Sequence, residues 1–391
     1  MRRRIRLQSS IGDVMYDELA QSLMMEFADS TGVCGNASPR RYLWTDAFAV
    51  CNFLGMHRQS GHRNYLELAV NLVDQVHHIL GRHRSDDSRQ GWISGLSEQQ
   101  GELHPTRGGL RIGKTLNERS QDQPLDQRLE WDRDGQYYHY LTKWMHALNR
   151  IGRETGEARY HAWAAELGVT AQRSFTRESF PGGPKRMVWK MSIDLSRPLV
   201  PSMGQHDPLD GLIACLELQR NEVRAVAHGI NLNPAIAALT EMCARGNWVT
   251  DDPLGIGGLM DDASRLAQIV FSHGVEQREL LRQILIDIEM SLAAIAGSSF
   301  LNEPAQRRLA FRELGLSIGF HGLEWIKGIV SRDRELTAII SNLLEYRPMA
   351  LQIQNFWSSP DHRRGCTWSD HQDINAVMLA TSLAPEGYLQ I

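Results

Sequence analysis

The chain alternates two kinds of helix, and this constrains its fold more than anything else in the sequence. Apolar residues recur at three- and four-residue spacing through most of its length, and alternating Val/Ile/Thr-rich patterns are scarce, so the fold class is all-α. A helix wetted on one side is amphipathic, whereas one enclosed on every side is apolar or small nearly all round. Segments 15–29, 65–82, 158–175, 234–245, 275–296 and 335–346 are of the first kind; 45–56, 135–151, 208–218, 254–270, 310–326 and 372–383 are of the second. They take turns strictly. Six outer and six inner helices in alternation describe a closed ring of α-hairpins, an (α/α)6 toroid, in preference to an irregular helical domain or an α-solenoid. The five steps from Asp46 to Asp370 average about 65 residues, too long for a tetratricopeptide or ankyrin unit.

At roughly 150 residues per domain, 391 residues suggest two or three domains. No linker breaks the alternation, however, so a single toroid domain over residues 1–391 is expected. A composition of 42% hydrophobic and 23% charged residues excludes a disordered or collagen-like chain. With 42 Lys plus Arg against 46 Asp plus Glu, the formal charge of −4 offers no global field to a nucleic acid or an anionic membrane. No apolar run approaches the roughly 20 residues that span a bilayer. Residues 1–7 are basic like the start of a signal peptide, but the polar stretch 8–13 follows before an apolar run forms. The five cysteines are scattered, with no C-x-x-C pair. The expectation is a soluble cytoplasmic protein with neither nucleic-acid nor membrane partners.

The residues at the inner-helix starts share a style. Trp stands one or two residues ahead of Asp three times, at Trp44/Asp46, Trp131/Asp132 and Trp368/Asp370, and His and Asp are neighbours at His206-Asp207 and Asp370-His371. Asp at a helix start is also an ordinary cap, accepting from free backbone N–H groups. Capping explains neither the tryptophans nor the histidines. If all inner helices run the same way, these residues line one pocket. Two long connections, 83–130 and 177–203, lead into inner helices and are expected to form a lid over it. The stretch from Arg107 to Lys114 is only loosely like a phosphate-binding loop and lacks Walker A spacing.

Aromatic faces beside carboxylates suit a saccharide, because rings cover sugar C–H faces while Asp, Arg and His bind the hydroxyls. Trp44, Trp131, Trp368 and Tyr137 are the candidate platforms, and His206 and Asp207 the candidate hydroxyl-binding pair. Glycosidic cleavage needs two carboxyl groups, one protonated and one ionised. Asp134 and Asp132 rank first, since close carboxylates push one pKa up. Asp46 and Asp370 follow. His139 or His371 are alternative acid–base groups, Tyr137 serves in a lyase, and Arg41, Arg133 and Arg312 are placed to hold a substrate carboxylate. Ring packing for each Trp and a satisfied core histidine at His139 are the competing structural readings. Asp251-Asp252 and Asp261-Asp262 offer hard oxygens to a cation, but read more simply as a cap and a polar helix edge. Without H-E-x-x-H or a dense His/Cys group, no metal and no cofactor is expected. His77-His78, on an outer helix, are expected in solvent.

The alternating hairpins and acidic helix starts resemble the six-hairpin glycosidase-like superfamily, which includes glucoamylases, unsaturated glucuronyl hydrolases and N-acylglucosamine 2-epimerases. The resemblance covers nearly the whole chain as architecture rather than residue-by-residue motif; the Arg-x-x-Trp and His-Pro signatures of the epimerases are not at their expected hairpins. It implies a carbohydrate substrate and catalytic acids near the inner-helix starts. Three functions follow: glycoside hydrolysis first, then a sugar epimerase, isomerase or polysaccharide lyase, and last a non-catalytic ring that binds a saccharide or a protein.

Overall fold

The structure, a computed structural model, describes residues 11–200, 202, 204–220, 229–244 and 246–391. The basic segment 1–7, Arg245 at the end of the fourth outer segment and Met203 at the end of the second long connection lie outside the described residues. Outer helices are α1 (Ile11–Ser30), α3 (Arg63–Leu80), α5 (Ala158–Phe175), α7 (Asn233–Cys243), α9 (Arg278–Ala296) and α11 (Arg334–Leu343), the last extended by the helix Pro348–Ser358. Inner helices are α2 (Leu43–Ser60), α4 (Tyr138–Thr155), α6 (Asp207–Gln219), α8 (Pro253–His273), α10 (Ala310–Ile329) and α12 (Gln372–Leu383).

Each inner helix packs against the next, and α12 returns to α2, so the inner ring closes. Behind it α3 backs α2, α5 backs α4, α7 backs α6, α9 backs α8 and α11 backs α10, while α1 closes the outer layer by packing on α12. The two kinds of helix read from the sequence are thus two concentric layers. In α3 the buried residues Tyr65, Ala69, Leu72, Val73, Val76 and Leu80 form one stripe at three- and four-residue steps. Truncating such a residue, as in Leu72→Ala, costs ~2–5 kcal/mol. In α2, by contrast, nearly every position from Leu43 to Met56 is buried. The ring is tightest between α8 and α10, where a Cβ on Gly257 would meet the Gly315 carbonyl oxygen at 2.2 Å. Only glycine permits that approach.

One segment departs from the sequence reading. Residues 135–137 are not the first turn of α4, because β1 (Gln136–Tyr137) pairs antiparallel with β4 (Lys190–Met191). A second ribbon, β2 (Thr176–Glu178) with β3 (Lys185–Met187), lies in the same connection. The far end of the ring is filled by the segment after α12. Its short helix Glu386–Leu389 places Gly387 against Gly55 of α2, and its backbone oxygens accept from Arg150 Nε (3.2 Å) and Gln268 Nε2 (2.9 Å). Among the described residues no helix is long and apolar enough to cross a membrane.

Candidate active site

The N-terminal ends of all six inner helices surround one pocket of about 1100 Å³. Trp44 comes from α2, His139 and Lys143 from α4, Asp207 and Asp210 from α6, Asp262 from α8, Arg312 from α10 and Asp373 from α12. The long connections add Lys114, Trp131, Asp132 and Trp189. A shallower lobe of about 430 Å³ adjoins it and shares Trp131, His139, Trp189, His206, Asp207 and Asp252.

One wall is aromatic. Tyr137 stacks between Trp189 (centroids 5.0 Å, interplanar 20°) and His139 (5.6 Å, 11°), and Trp131 leans on Trp189 at 5.5 Å. The β1–β4 pairing sets this stack, because it holds Tyr137 opposite Lys190, the residue after Trp189. Trp131 is 57% exposed, an open face beside the pocket. Trp44 meets His139 edge-on at 6.0 Å, and the Tyr42 and Tyr140 hydroxyls are 2.7 Å apart.

Next to this wall the pocket is acidic. Asp207 is buried, with Oδ1 3.6 Å from His139 Nδ1 and Oδ2 without a partner. Three residues further along α6, Asp210 receives Lys143 Nζ at 3.2 Å, and Lys143 also lies 3.5 Å from Asp261 Oδ2. Burial alone would strip the proton from Lys143, but Asp210 and Asp261 together hold its pKa well above the ordinary value. Asp262 packs beside Asp210. Burial and then the Asp210 charge push Asp262 well above the carboxylate range, whereas Lys143 and Arg265 overcome burial and hold Asp210 below it.

The arginines of the pocket are each matched by a carboxylate. Arg40 lies 3.4 Å from Asp373, Arg312 2.7 Å from Asp252, and Arg41 3.6 Å from Asp46. Lys114 Nζ stands over the Tyr42 ring at 5.4 Å. Polar atoms without a hydrogen-bond partner remain around the space: Trp44 Nε1, Tyr137 Oη, Asp207 Oδ2, Asp262 Oδ1 and Arg312 Nε. Buried polar groups are normally satisfied.

No protein-family model matches the sequence, and no curated protein matches it. Solved structures do. A GH76 α-mannanase from Bacteroides thetaiotaomicron superposes with a TM-score of 0.52 at 9% identity, over 95% of this chain and 96% of that one. An α-1,6-mannanase from Salegentibacter sp., inactivated by replacing two consecutive aspartates and bound to α-1,6-mannotriose, gives 0.52 at 11% identity over 96% and 100%. A protein from Listeria innocua gives 0.51 at 12% identity over 95% and 97%. The chain has the six-hairpin glycosidase-like fold.

Within this toroid, Asp132, Asp370, His139, Trp44, Trp131, Tyr137, His206, Asp207, Arg41, Arg312 and His371 all line the pocket. His206 is anchored through Nε2 to the Trp248 carbonyl (3.0 Å), and its burial lowers its pKa. Asp134, ranked first in the sequence, is elsewhere. It is fully buried and takes hydrogen bonds from Arg111 Nη1 (2.5 Å) and the N–H groups of Gly113 (3.0 Å) and Gly135 (3.1 Å), bracing the 83–130 connection. Asp46 is also withdrawn. It accepts from the Tyr42 N–H at 2.8 Å, as a residue closing a helix start does, and burial raises its pKa to about 6. Trp368 packs in the core on Trp357 at 5.8 Å.

Sequence reasoning passed over Lys143 and Asp210 and read Asp261-Asp262 as the polar edge of a helix, whereas both aspartates are buried. Their signal was a charge inside helices otherwise apolar all round, and for Asp210 its place three residues after Asp207, on the same helix face. Asp251-Asp252 is a cap: Asp252 Oδ2 accepts from the Gly255 N–H at 3.2 Å. Among the described residues no group of three or more His, Cys, Asp or Glu is placed to hold a metal ion.

Proposed function

We propose that this chain is a carbohydrate-active enzyme that cleaves a glycosidic bond in a neutral saccharide, working as one domain. The observation that supports it most is the pocket itself: a stacked aromatic wall that ends at His139 stands beside Asp207, 3.6 Å away, and a second pair of carboxyl groups, Asp210 of α6 and Asp262 of α8, lines the same space. Residues three apart on a helix share a face, so Asp207 and Asp210 of α6 both line the pocket. Each pocket arginine has a carboxylate beside it, which favours a neutral substrate over a uronate. The two long connections serve as a lid, bringing Lys114 and Trp189 to the pocket, with Trp131 directly after the first. Five free cysteines fit a cytoplasmic location.

In this reading one carboxylic acid protonates the glycosidic oxygen as the C–O bond breaks, the electron pair leaving with oxygen. Water adds to the sugar carbon and gives its proton to Asp207. The test is turnover on a panel of neutral oligosaccharides, beginning with α-1,6-mannotriose because a fold neighbour was solved with it. Asp207→Asn is expected to lower kcat by roughly 10²–10⁴-fold with the fold intact. Full activity in that variant rules Asp207 out. His139 beside Asp207 supports a second reading, in which His139 moves a proton on carbon as in an epimerase. Deuterium entering a sugar C–H position from heavy water would favour it, and binding without any turnover would favour the non-catalytic ring.

A further inference from the structure

We infer that Asp262, paired with Asp210 on the pocket floor, is the proton donor of this site, and that Tyr388, brought in through the far end of the ring, is the positioning residue that holds the pair. This rests on the cleavage reading and names its acid. Asp262 is 1% exposed and lines the pocket, and its Oδ1 accepts no hydrogen bond, the Arg265 guanidinium standing off at 3.8 Å. Its neighbour Asp210 is claimed by Lys143 at 3.2 Å and by Thr142 Oγ1 at 3.4 Å. Two carboxyls pressed together in a buried floor do not both ionise. With Lys143 on Asp210, the charge settles there and the proton on Asp262.

Behind the floor, Asp261 Oδ2 lies 3.5 Å from Lys143 and also accepts from the Tyr388 hydroxyl at 2.9 Å. Asp261 therefore competes with Asp210 for the lysine, and the Tyr388 hydroxyl satisfies it from the other side. Tyr388 has a built seat. Its ring stacks on Phe48 at 4.3 Å and its carbonyl accepts from His146 Nε2 at 2.8 Å. The backbone reaches that seat between facing glycines, where a Cβ on Gly387 would meet Cys51 O at 2.3 Å. The charged and titratable groups acting on the pair are Lys143, His139 and Tyr138 of α4, His206 and Cys243, Asp261 and Arg265 of α8, and Tyr388 through Asp261. Arg265 is itself matched by Glu217 at 2.6 Å. In the reaction Asp262 gives its proton to the departing oxygen and is left ionised, Asp207 takes the proton from water, and exchange with solvent restores both.

The experiment is a pH titration of the whole chain with ¹³C-labelled aspartate carboxyls, read by NMR. Asp262→Asn is expected to remove a carboxyl that titrates far above the ordinary range. Tyr388→Phe is expected to move that carboxyl upward, by half a pH unit or more, as Lys143 shifts toward Asp261. Asp46, identified by Asp46→Asn, stays put as the internal control. Should Tyr388→Phe fail to fold, Asp261→Asn cuts the same link. High-titrating carboxyls unchanged in Asp262→Asn, or a titration unmoved by Tyr388→Phe, overturn the pairing. For the donor role, Asp262→Asn is expected to lose at least 100-fold in kcat on oligosaccharides and less on aryl glycosides whose leaving group needs no proton. An equal loss on both overturns it. A wild type that cleaves no glycoside removes the cleavage reading and the donor role together, while the titration still judges the Tyr388 link alone.

Discussion

At the far end of the ring, Glu217 receives Arg265 at 2.6 Å, His146 Nδ1 at 3.0 Å and Asn149 Nδ2 at 2.6 Å, all buried and all against packed side chains. At the mouth, Asp207 is as deeply buried but keeps one oxygen free, as do Trp44 Nε1 and Tyr137 Oη, beside a space of about 1100 Å³. Both ends are acidic, aromatic and shielded. They differ in the carboxylate at the centre: both Glu217 oxygens accept hydrogen bonds, whereas Asp207 Oδ2 accepts none. The Glu217 network holds the helices in register, whereas the mouth keeps its capacity for a partner that is not part of the chain.

The largest effect expected from breaking this contrast is on stability. Glu217→Gln removes the nearest counter-charge of the buried Arg265 and leaves only Asp262 at 3.8 Å, which costs about 3–5 kcal/mol. Asp207→Asn, at the mouth, is expected to cost under ~1 kcal/mol, since its free oxygen makes no bond to lose. Urea titrations of the two variants check this. Equal losses would mean that the two ends are held in the same way.

How much of this was legible in the sequence differs between the same two regions. The ring was legible because burial on one side or on all sides writes itself into helix periodicity. The mouth was legible because polar residues cluster where inner helices begin. What the sequence did not resolve was which acid faces the space. Asp132 and Asp134 are two residues apart, yet one lines the pocket and the other is locked under Arg111, a contact made by a connection with no periodic pattern. Asp46 likewise turns back to its own helix start, the capping alternative that local sequence offers equally. Tyr388 left no trace, because a residue packed in the ring's centre is specified by contacts 127 positions away in the chain.

His77 sharpens the contrast through pH. The outer-helix position suggests a solvated residue; instead His77 is buried between Trp144 and Trp163, with Nε2 accepting from Trp144 Nε1 at 3.2 Å, and only its neighbour His78 is exposed, against Glu102. Burial lowers the pKa of His77 to about 3. A folded pKa below the unfolded 6.5 means that the unfolded chain protonates first. The stability His77 contributes is thus complete above pH 6.5 and lost as pH falls toward 3, by about 2 kcal/mol at pH 5. His77→Gln is expected to shrink the pH 7-to-5 difference by that amount in denaturant titrations. An unchanged difference would place the acid sensitivity elsewhere.

The smallest expected effect isolates the aromatic wall from the acids. Trp131 is more than half exposed and touches the molecule mainly through Trp189, so Trp131→Ala is expected to leave stability within ~0.5 kcal/mol. As a sugar platform, the ring contributes ~1 kcal/mol to binding whether the substrate is in its ground state or its transition state. Uniform binding of that kind raises KM and leaves kcat alone. A KM about five-fold higher with kcat unchanged is therefore the expected result on whichever oligosaccharide is turned over. A fall in kcat instead would assign Trp131 to the reacting centre. It would also move the point of cleavage from the floor of the pocket up to the shallower lobe, where Trp131, His139, Asp207 and Asp252 meet.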